Sequence, residues 1–321
     1  MPWDAILGQS AAKRLLQAHL ASGQTAQAYL LAGPEGVGKR RLALEAAIAL
    51  LCTGKSPRPC HECTHCRQAG RSVHPDLHLI VHSEGSDFIK IEGIRHLLGR
   101  LALRPFSAPH QAAVIDGAER LTEEAANSLL KTLEEPTSAT RFFLTTSRLS
   151  QCLPTVVSRC QLIRCEPLPL DVIEQILLKE QACDAKAASV IARLSGGSAA
   201  RALDLAGRWA AHERSLDRLA GPDQEWLRQP LPETRQEVTE LLDGMMVWLR
   251  DVAVSSAAPA ERLVHEAHAE ILQRQAHGAD ADRVARTALE LIELRESADQ
   301  HVSPRMIAAL AREKWLSLRD A

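Results

Sequence analysis

The sequence is poor in aromatic residues, which make up 3% of 321 residues as five tryptophans, four phenylalanines and one tyrosine. Sandwich cores lean on aromatic and β-branched side chains. Here the core has to come mainly from Leu, Ala, Val and Ile, which points towards helices. A charge excess of either sign is also missing, with 38 Lys+Arg against 40 Asp+Glu and a formal net charge of −2. That excludes a generally basic coat for nucleic acid, while leaving room for a local basic patch. No apolar run approaches the about 18 residues a membrane span needs. The opening MPWDAILGQSAAKR lacks the charged, apolar and small-residue regions of a signal peptide. The expectation is a soluble, cytoplasmic chain with no membrane partner.

What is present is ordinary globular usage, 45% hydrophobic and 24% charged, enough for a real core. At about 150 residues per domain the length suggests about two domains, or three small ones. Residues 10–22 place Leu15, Leu16, His19 and Leu20 at helical spacing. AYLLAG (28–33) reads as a buried strand, GPEGVGK (33–39) as the loop after it, and 40–52 as a helix. Further strands are expected at 76–82, 111–116, 141–147 and 160–165, with helices at 93–104 and 121–136. Thr122 is the expected N-cap of the latter and Pro136 its stop. Alternating helices and buried strands over 25–165 imply an α/β fold, with a mostly parallel sheet covered on both faces.

Beyond residue 166 the strand signal stops. Residues 170–206 give two or three short helices around the Ser-Gly-Gly-Ser turn at 195–198, and 221–233, with three prolines, reads as a linker. Val238, Leu241, Leu242, Met245, Leu249 and Val252 then share one helical stripe, which suits an interface and an internal core equally. More helices are expected at about 260–276, 281–298 and 304–318, the last with Ser303 as N-cap and Pro304 at its first position.

Residues 33–40 fit G-x-x-x-x-G-K without the final Ser/Thr, so Gly33, Gly36, Gly38 and Lys39 are candidate nucleotide-binding residues. Such glycines let backbone N–H groups turn inward around phosphate oxygens, and the lysine reaches the β/γ-phosphates. The next hydroxyl normally binds Mg²⁺; here it is Arg40, which cannot ligate a cation. The strand-end acid is Asp116, but Gly117 follows where a water-polarising glutamate would stand, and Glu119 is expected to point elsewhere. Phosphate binding stays open; hydrolysis is not expected. The alternative is a chance glycine turn.

Cys52, Cys60, Cys63 and Cys66 read C-x₇-C-x₂-C-x₂-C. Paired x₂ spacings let thiolates converge on one tetrahedral ion, and four ligands close the shell, as in structural zinc sites. His61 or His65 could replace one cysteine. Four unligated thiols, or a zinc ribbon gripping nucleic acid, are the alternatives. Cys152, Cys160, Cys165 and Cys183 lack such spacing and read as small buried groups. Arg159 lies in TVVSRC (155–160); a lone loop arginine is ordinarily a solvated charge, but near a subunit edge it could act on a neighbour's γ-phosphate.

Together ILGQ (6–9), AYLLAGPEGVGK (28–39), the four-cysteine insert, HPDLH (74–78), NSLLKTLEEP (127–136), SRC (158–160) and GGSAARAL (196–203) are similar to the delta-prime subunits of bacterial DNA polymerase III clamp loaders, an AAA+ family. HVSPR (301–305) and the final helix after it extend the match over essentially the whole chain. The resemblance implies an AAA+ P-loop domain over 1–166 with a zinc-binding insert at 52–66, a helical lid over 167–208 and an all-α collar over 209–321. It implies a stator beside gamma/tau and delta subunits in a heteropentamer, which meets the sliding clamp and primer–template DNA through the complex. On it Arg159 is a trans arginine finger, Thr146 the polar sensor at a strand end and Arg201 the second sensor. The Arg40 and Gly117 departures argue against the alternative of an active gamma/tau-like ATPase. The net charge argues against a zinc-dependent DNA-binding module.

Overall fold

The computed structural model describes residues 2–55, 57–82, 87–134, 139–221, 223–255, 263–278, 280–298 and 302–319. They fall into two compact units, one of residues 1–176 with 195–202, the other of 177–194 with 203–321.

The first unit alternates α1 (Ser10–Ser22), β1 (Ala28–Ala32), α2 (Lys39–Leu51), α3 (Thr64–Gly70), β2 (Leu77–Ile80), α4 (Ile91–Leu101), β3 (Gln111–Asp116), α5 (Glu123–Glu134), β4 (Thr140–Thr146), α6 (Pro154–Val157) and β5 (Gln161–Arg164). The five strands form one sheet in the order β2-β3-β4-β1-β5, every neighbouring pair parallel. Side-chain alternation divides each central strand between two cores. Tyr29, Leu31, Ala112, Val114 and Phe143 face Leu16 of α1 and Leu42 and Ala46 of α2. Leu30, Ala113, Ile115, Phe142 and Leu144 face Ile94 and Leu97 of α4 and Leu129 of α5. Strands buried on both faces must be near-continuously apolar, which is how AYLLA and the AAVI of β3 read. The expected fold class, an α/β domain built on a parallel sheet with helices after it, is the one found.

Thr122 caps α5 as expected, its Oγ1 accepting from Ala125 N at 3.3 Å; Pro136 lies outside the described residues. The fourth helix runs earlier than 93–104, because its apolar face begins at Ile91 and closes with Leu101.

After β5 come α7 (Leu170–Lys179), α8 (Ala185–Leu194), α9 (Ala199–Gly207), α10 (Trp209–Ala220), α11 (Asp223–Arg228), α12 (Arg235–Ser255), α13 (Ala269–Gly278), α14 (Ala281–Ser297) and α15 (Pro304–Arg319). Among the described residues the second unit is all-helical. Its core gathers Leu219, Trp226, Leu272, Leu291 and Trp315 around the whole apolar stripe of α12. That stripe is therefore an internal core. The linker reading of 221–233 is corrected: α11 forms inside it because Trp226 is buried, edge-on to Trp315 with ring centroids 6.0 Å apart. Arg312 donates to the Trp226 and Gln229 carbonyls at 3.4 and 3.2 Å, which holds the turn after α11. Of the helix expected at 260–276, residues 260–262 lie outside the described ones, and the rest is a 3₁₀ turn at Glu266–His268 leading into α13. Among the described residues no helix is long and apolar enough to cross a membrane.

Candidate functional site

The loop between β1 and α2 edges a cleft of about 520 Å³, lined by Gly36, Gly38, Lys39, Asp116 and Thr145 among others. Its shape depends on glycine. Gly36 sits at φ +76°, and a Cβ there would come within 2.1 Å of Ser198 Oγ. Lys39 is 7% exposed. Its ammonium donates to the Gly33 and Pro34 carbonyls at 2.8 and 2.6 Å and to Ser147 Oγ at 3.1 Å. Burial pulls Lys39 below its ordinary pKa, against the opposing pull of nearby anionic groups.

At the opposite wall β3 ends in Asp116. Its Oδ1 accepts from Thr145 Oγ1 at 2.6 Å, and Thr145 Oγ1 in turn accepts from Gly117 N at 3.1 Å. Arg40, where a Mg²⁺-binding hydroxyl would stand, places Nη1 3.8 Å from Asp116 Oδ2. Two sequence readings are corrected here. Glu119 does not point elsewhere: Gly117 at φ +89° and the 3₁₀ turn Ala118–Arg120 swing it back into the cleft wall. There Oε1 accepts from Ser147 N at 3.0 Å, while the buried Oε2 has no hydrogen-bond partner. Thr146 faces away from the cleft, its Oγ1 accepting from Arg148 N and Cys152 Sγ at 3.1 and 3.2 Å. The residues that face in are Thr145 and Ser147. Strand parity was the available signal, because Thr145 lies directly opposite Asp116 in the β3–β4 register. Arg201, near the start of α9, is exposed and outside the lining, which Ala200 enters instead.

The four cysteines converge, with their sulfurs all within 4.8 Å of one another. Cys52–Cys60, Cys60–Cys66 and Cys52–Cys63 separations are 3.5, 4.0 and 4.0 Å. A tetrahedral ion with metal–sulfur bonds of about 2.3 Å requires sulfurs about 3.8 Å apart, so the donor set fits. Backbone N–H groups of Gly54 and Cys60 reach Cys52 Sγ, that of Cys63 reaches Cys60 Sγ and that of Cys66 reaches Cys63 Sγ, at 3.3–3.4 Å. Such donors favour thiolates over thiols. His61 is engaged elsewhere, with Glu45 at 2.7 Å, and His65 with His74 at 2.9 Å. Neither replaces a cysteine.

HPDLH ties this insert to the sheet. His74 Nδ1 accepts from Asp76 N at 3.0 Å. The buried Asp76 carboxylate accepts from the backbone N–H groups of Phe106, Ser107 and Ala108 at 2.6, 2.8 and 2.9 Å. Trp3 Nε1 donates to Arg58 O at 2.8 Å and fastens the N-terminal turn to the same insert.

Arg159 follows α6, half-buried. Its Nε donates to Glu134 Oε1 at 2.8 Å, with Nη2 bonded to the same oxygen, and Nη1 donates to Thr155 O at 2.9 Å. The guanidinium that would act on a neighbour is thus held within its own chain by the end of α5.

A family model described as DNA polymerase III, delta subunit, matches residues 8–169. Delta-prime subunits are among the curated relatives. That of Pseudomonas aeruginosa is 33% identical over 67% of this chain and 63% of its own length. That of Bacillus subtilis is 26% identical over 90% of this chain and 91% of its own. The tau subunit of Escherichia coli is 32% identical over 62% of this chain and 32% of its own. With half of its residues under that family model and delta-prime subunits related to it over most of its length, this chain belongs to the DNA polymerase III delta-subunit family.

Proposed function

We propose that this chain is a delta-prime type stator of a bacterial clamp loader. In this reading it supports ATP-dependent loading of a sliding clamp onto primed DNA without itself turning over ATP. The observation that carries it is the contact between Arg40 and Asp116. A guanidinium stands where a hydrolysing loop holds Mg²⁺, and it faces the acid that would help bind the metal. Gly117 at the position after that acid supports the same reading.

The proposed organisation keeps an AAA+ domain over 1–166, a lid over 167–208 and a collar over 209–321. Gamma/tau and delta subunits complete a heteropentamer in the cytoplasm, and clamp and primer–template DNA are met through it. Cys52, Cys60, Cys63 and Cys66 hold a structural zinc ion, which staples the excursion between α2 and β2; closed four-sulfur shells serve structure rather than catalysis. Gly33, Gly36, Gly38 and Lys39 form the phosphate loop, with Asp116 opposite.

Arg159 acts in trans on the adjoining ATPase site, exchanging Glu134 for a γ-phosphate. The test is DNA-stimulated ATPase in reconstituted complexes. Arg159→Ala should leave assembly intact and remove the turnover of the site it serves, since arginine fingers contribute about 10³–10⁵ in rate. Unchanged ATPase removes the trans role.

One observation favours a gamma/tau-like motor as a second reading: Glu119 stands in the cleft wall, and its buried Oε2 has no hydrogen-bond partner. Single-turnover hydrolysis by the lone chain, abolished in Lys39→Ala, would establish it.

A further inference from the structure

The cleft at the start of α2 carries its own compensation for phosphate charge. Four cationic side chains, Lys39, Arg40, Arg41 and Arg120, line it against three carboxylates. In a loop that uses Mg²⁺, the strand-end aspartate is screened from the phosphates by the metal. Here Arg40 Nη1 lies 3.8 Å from Asp116 Oδ2, and its side chain is 51% exposed, so the guanidinium can reach into the cleft while it neutralises the acid. Asp116 is also fixed by Thr145 Oγ1 at 2.6 Å. The donor set does not fit Mg²⁺, an ion that takes oxygen ligands in strict octahedral geometry and keeps several of its waters. The hydroxyl is gone, and a fixed positive charge faces the remaining carboxylate.

We propose that the Gly33–Lys39 loop takes a nucleoside polyphosphate free of divalent metal, with the Arg40 guanidinium in the place of the cation. This rests on reading Gly33–Lys39 as a phosphate loop. Guanidinium–phosphate bonds are planar, bidentate and charge-assisted. Lys39 changes partners on binding, giving up the Gly33 and Pro34 carbonyls for phosphate oxygens. The sign of the metal effect follows. Mg²⁺ competes with Arg40 and Lys39 for the same oxygens and brings a second positive charge next to the guanidinium. Adding it should weaken ATP binding, the reverse of what a hydroxyl-bearing loop shows.

The experiment titrates ATP into the full chain by calorimetry, once with EDTA and once with excess Mg²⁺. The expected result is binding in EDTA that weakens in Mg²⁺. Arg40→Thr, which restores the hydroxyl, should lose about tenfold or more in EDTA, the equivalent of one charge-assisted hydrogen bond, and should recover when Mg²⁺ is added. Arg40→Lys, which keeps the charge, should still bind in EDTA. Circular dichroism checks the fold of each variant. Wild-type binding that requires Mg²⁺ overturns the inference, as does an Arg40→Thr variant that binds like wild type in EDTA. Absence of ATP binding under both conditions also overturns it. That last result leaves the stator reading standing, because a stator needs no nucleotide of its own.

Discussion

Replacing Asp76 with alanine should unfold the first unit far more readily than removal of one polar side chain ordinarily does. Asp76 is 1% exposed, and its carboxylate accepts three backbone N–H groups and the Ser107 hydroxyl. Without it the Ala108 N–H is left buried, at about 1–3 kcal/mol. The Phe106 and Ser107 N–H groups recover partly with water, at about 0.5–1.5 kcal/mol each. The expected loss is therefore about 2–6 kcal/mol near neutral pH. Although burial alone would raise it, those N–H donors hold the Asp76 carboxyl below the ordinary carboxylate range. A depressed folded-state pKa means that the stabilisation is present in full above the unfolded-state value and lost as pH falls through the folded one. The gap between wild type and Asp76→Ala should thus be full near about pH 7 and close in acid, below about pH 4. Urea unfolding by far-ultraviolet circular dichroism gives the midpoint shift at constant slope. Peptide-resolved hydrogen exchange identifies which transition belongs to the first unit. A neutral-pH gap under about 1 kcal/mol, or one that persists undiminished in acid, would refute the reasoning.

The purified chain should contain one zinc per molecule by elemental analysis, and Cys63→Ser or chelation should lower the thermal midpoint of the first unit; a metal-free chain of unchanged stability would remove the assignment. Trp226→Ala should cost the second unit about 3–5 kcal/mol, as for other buried tryptophans. Its α10–α15 peptides should exchange faster while those of the sheet stay unchanged, and uniform exchange would show that α11 is a linker after all.

Local chemistry made much of this molecule legible. AYLLA, AAVID and RFFLTT are apolar enough to require burial on both faces, and Thr122 announces α5 through its hydroxyl. The cysteine spacing carries its own geometry. What stayed hidden depends on conformations or distances that one-dimensional pattern does not encode. Glu119 enters the cleft only because Gly117 adopts a positive φ. Thr146 matched a motif, yet strand parity gives the inward face to Thr145 and Ser147. Arg40 and Asp116 are 76 positions apart in the numbering, and Arg159 and Glu134 are 25 apart. Neither pair is visible before the sheet brings their elements together. The prolines at 221–233 spoke for a linker, and one buried indole outweighed them.

The position of β1 has a consequence for how the chain is made. Among the described residues β1 bonds only to β4 and β5, whose residues begin at Thr140 and Gln161. A ribosome adding about 5–20 residues per second leaves AYLLA without a strand partner for on the order of 6–20 s after its synthesis. The cysteine staple closes within Cys52–Cys66 and grips the end of α2, so it can form long before the central strand is paired. With the proposed zinc ion bound there, metal capture would set the order of assembly: the insert first, α2 anchored upon it, and the sheet threaded into place as its later strands emerge.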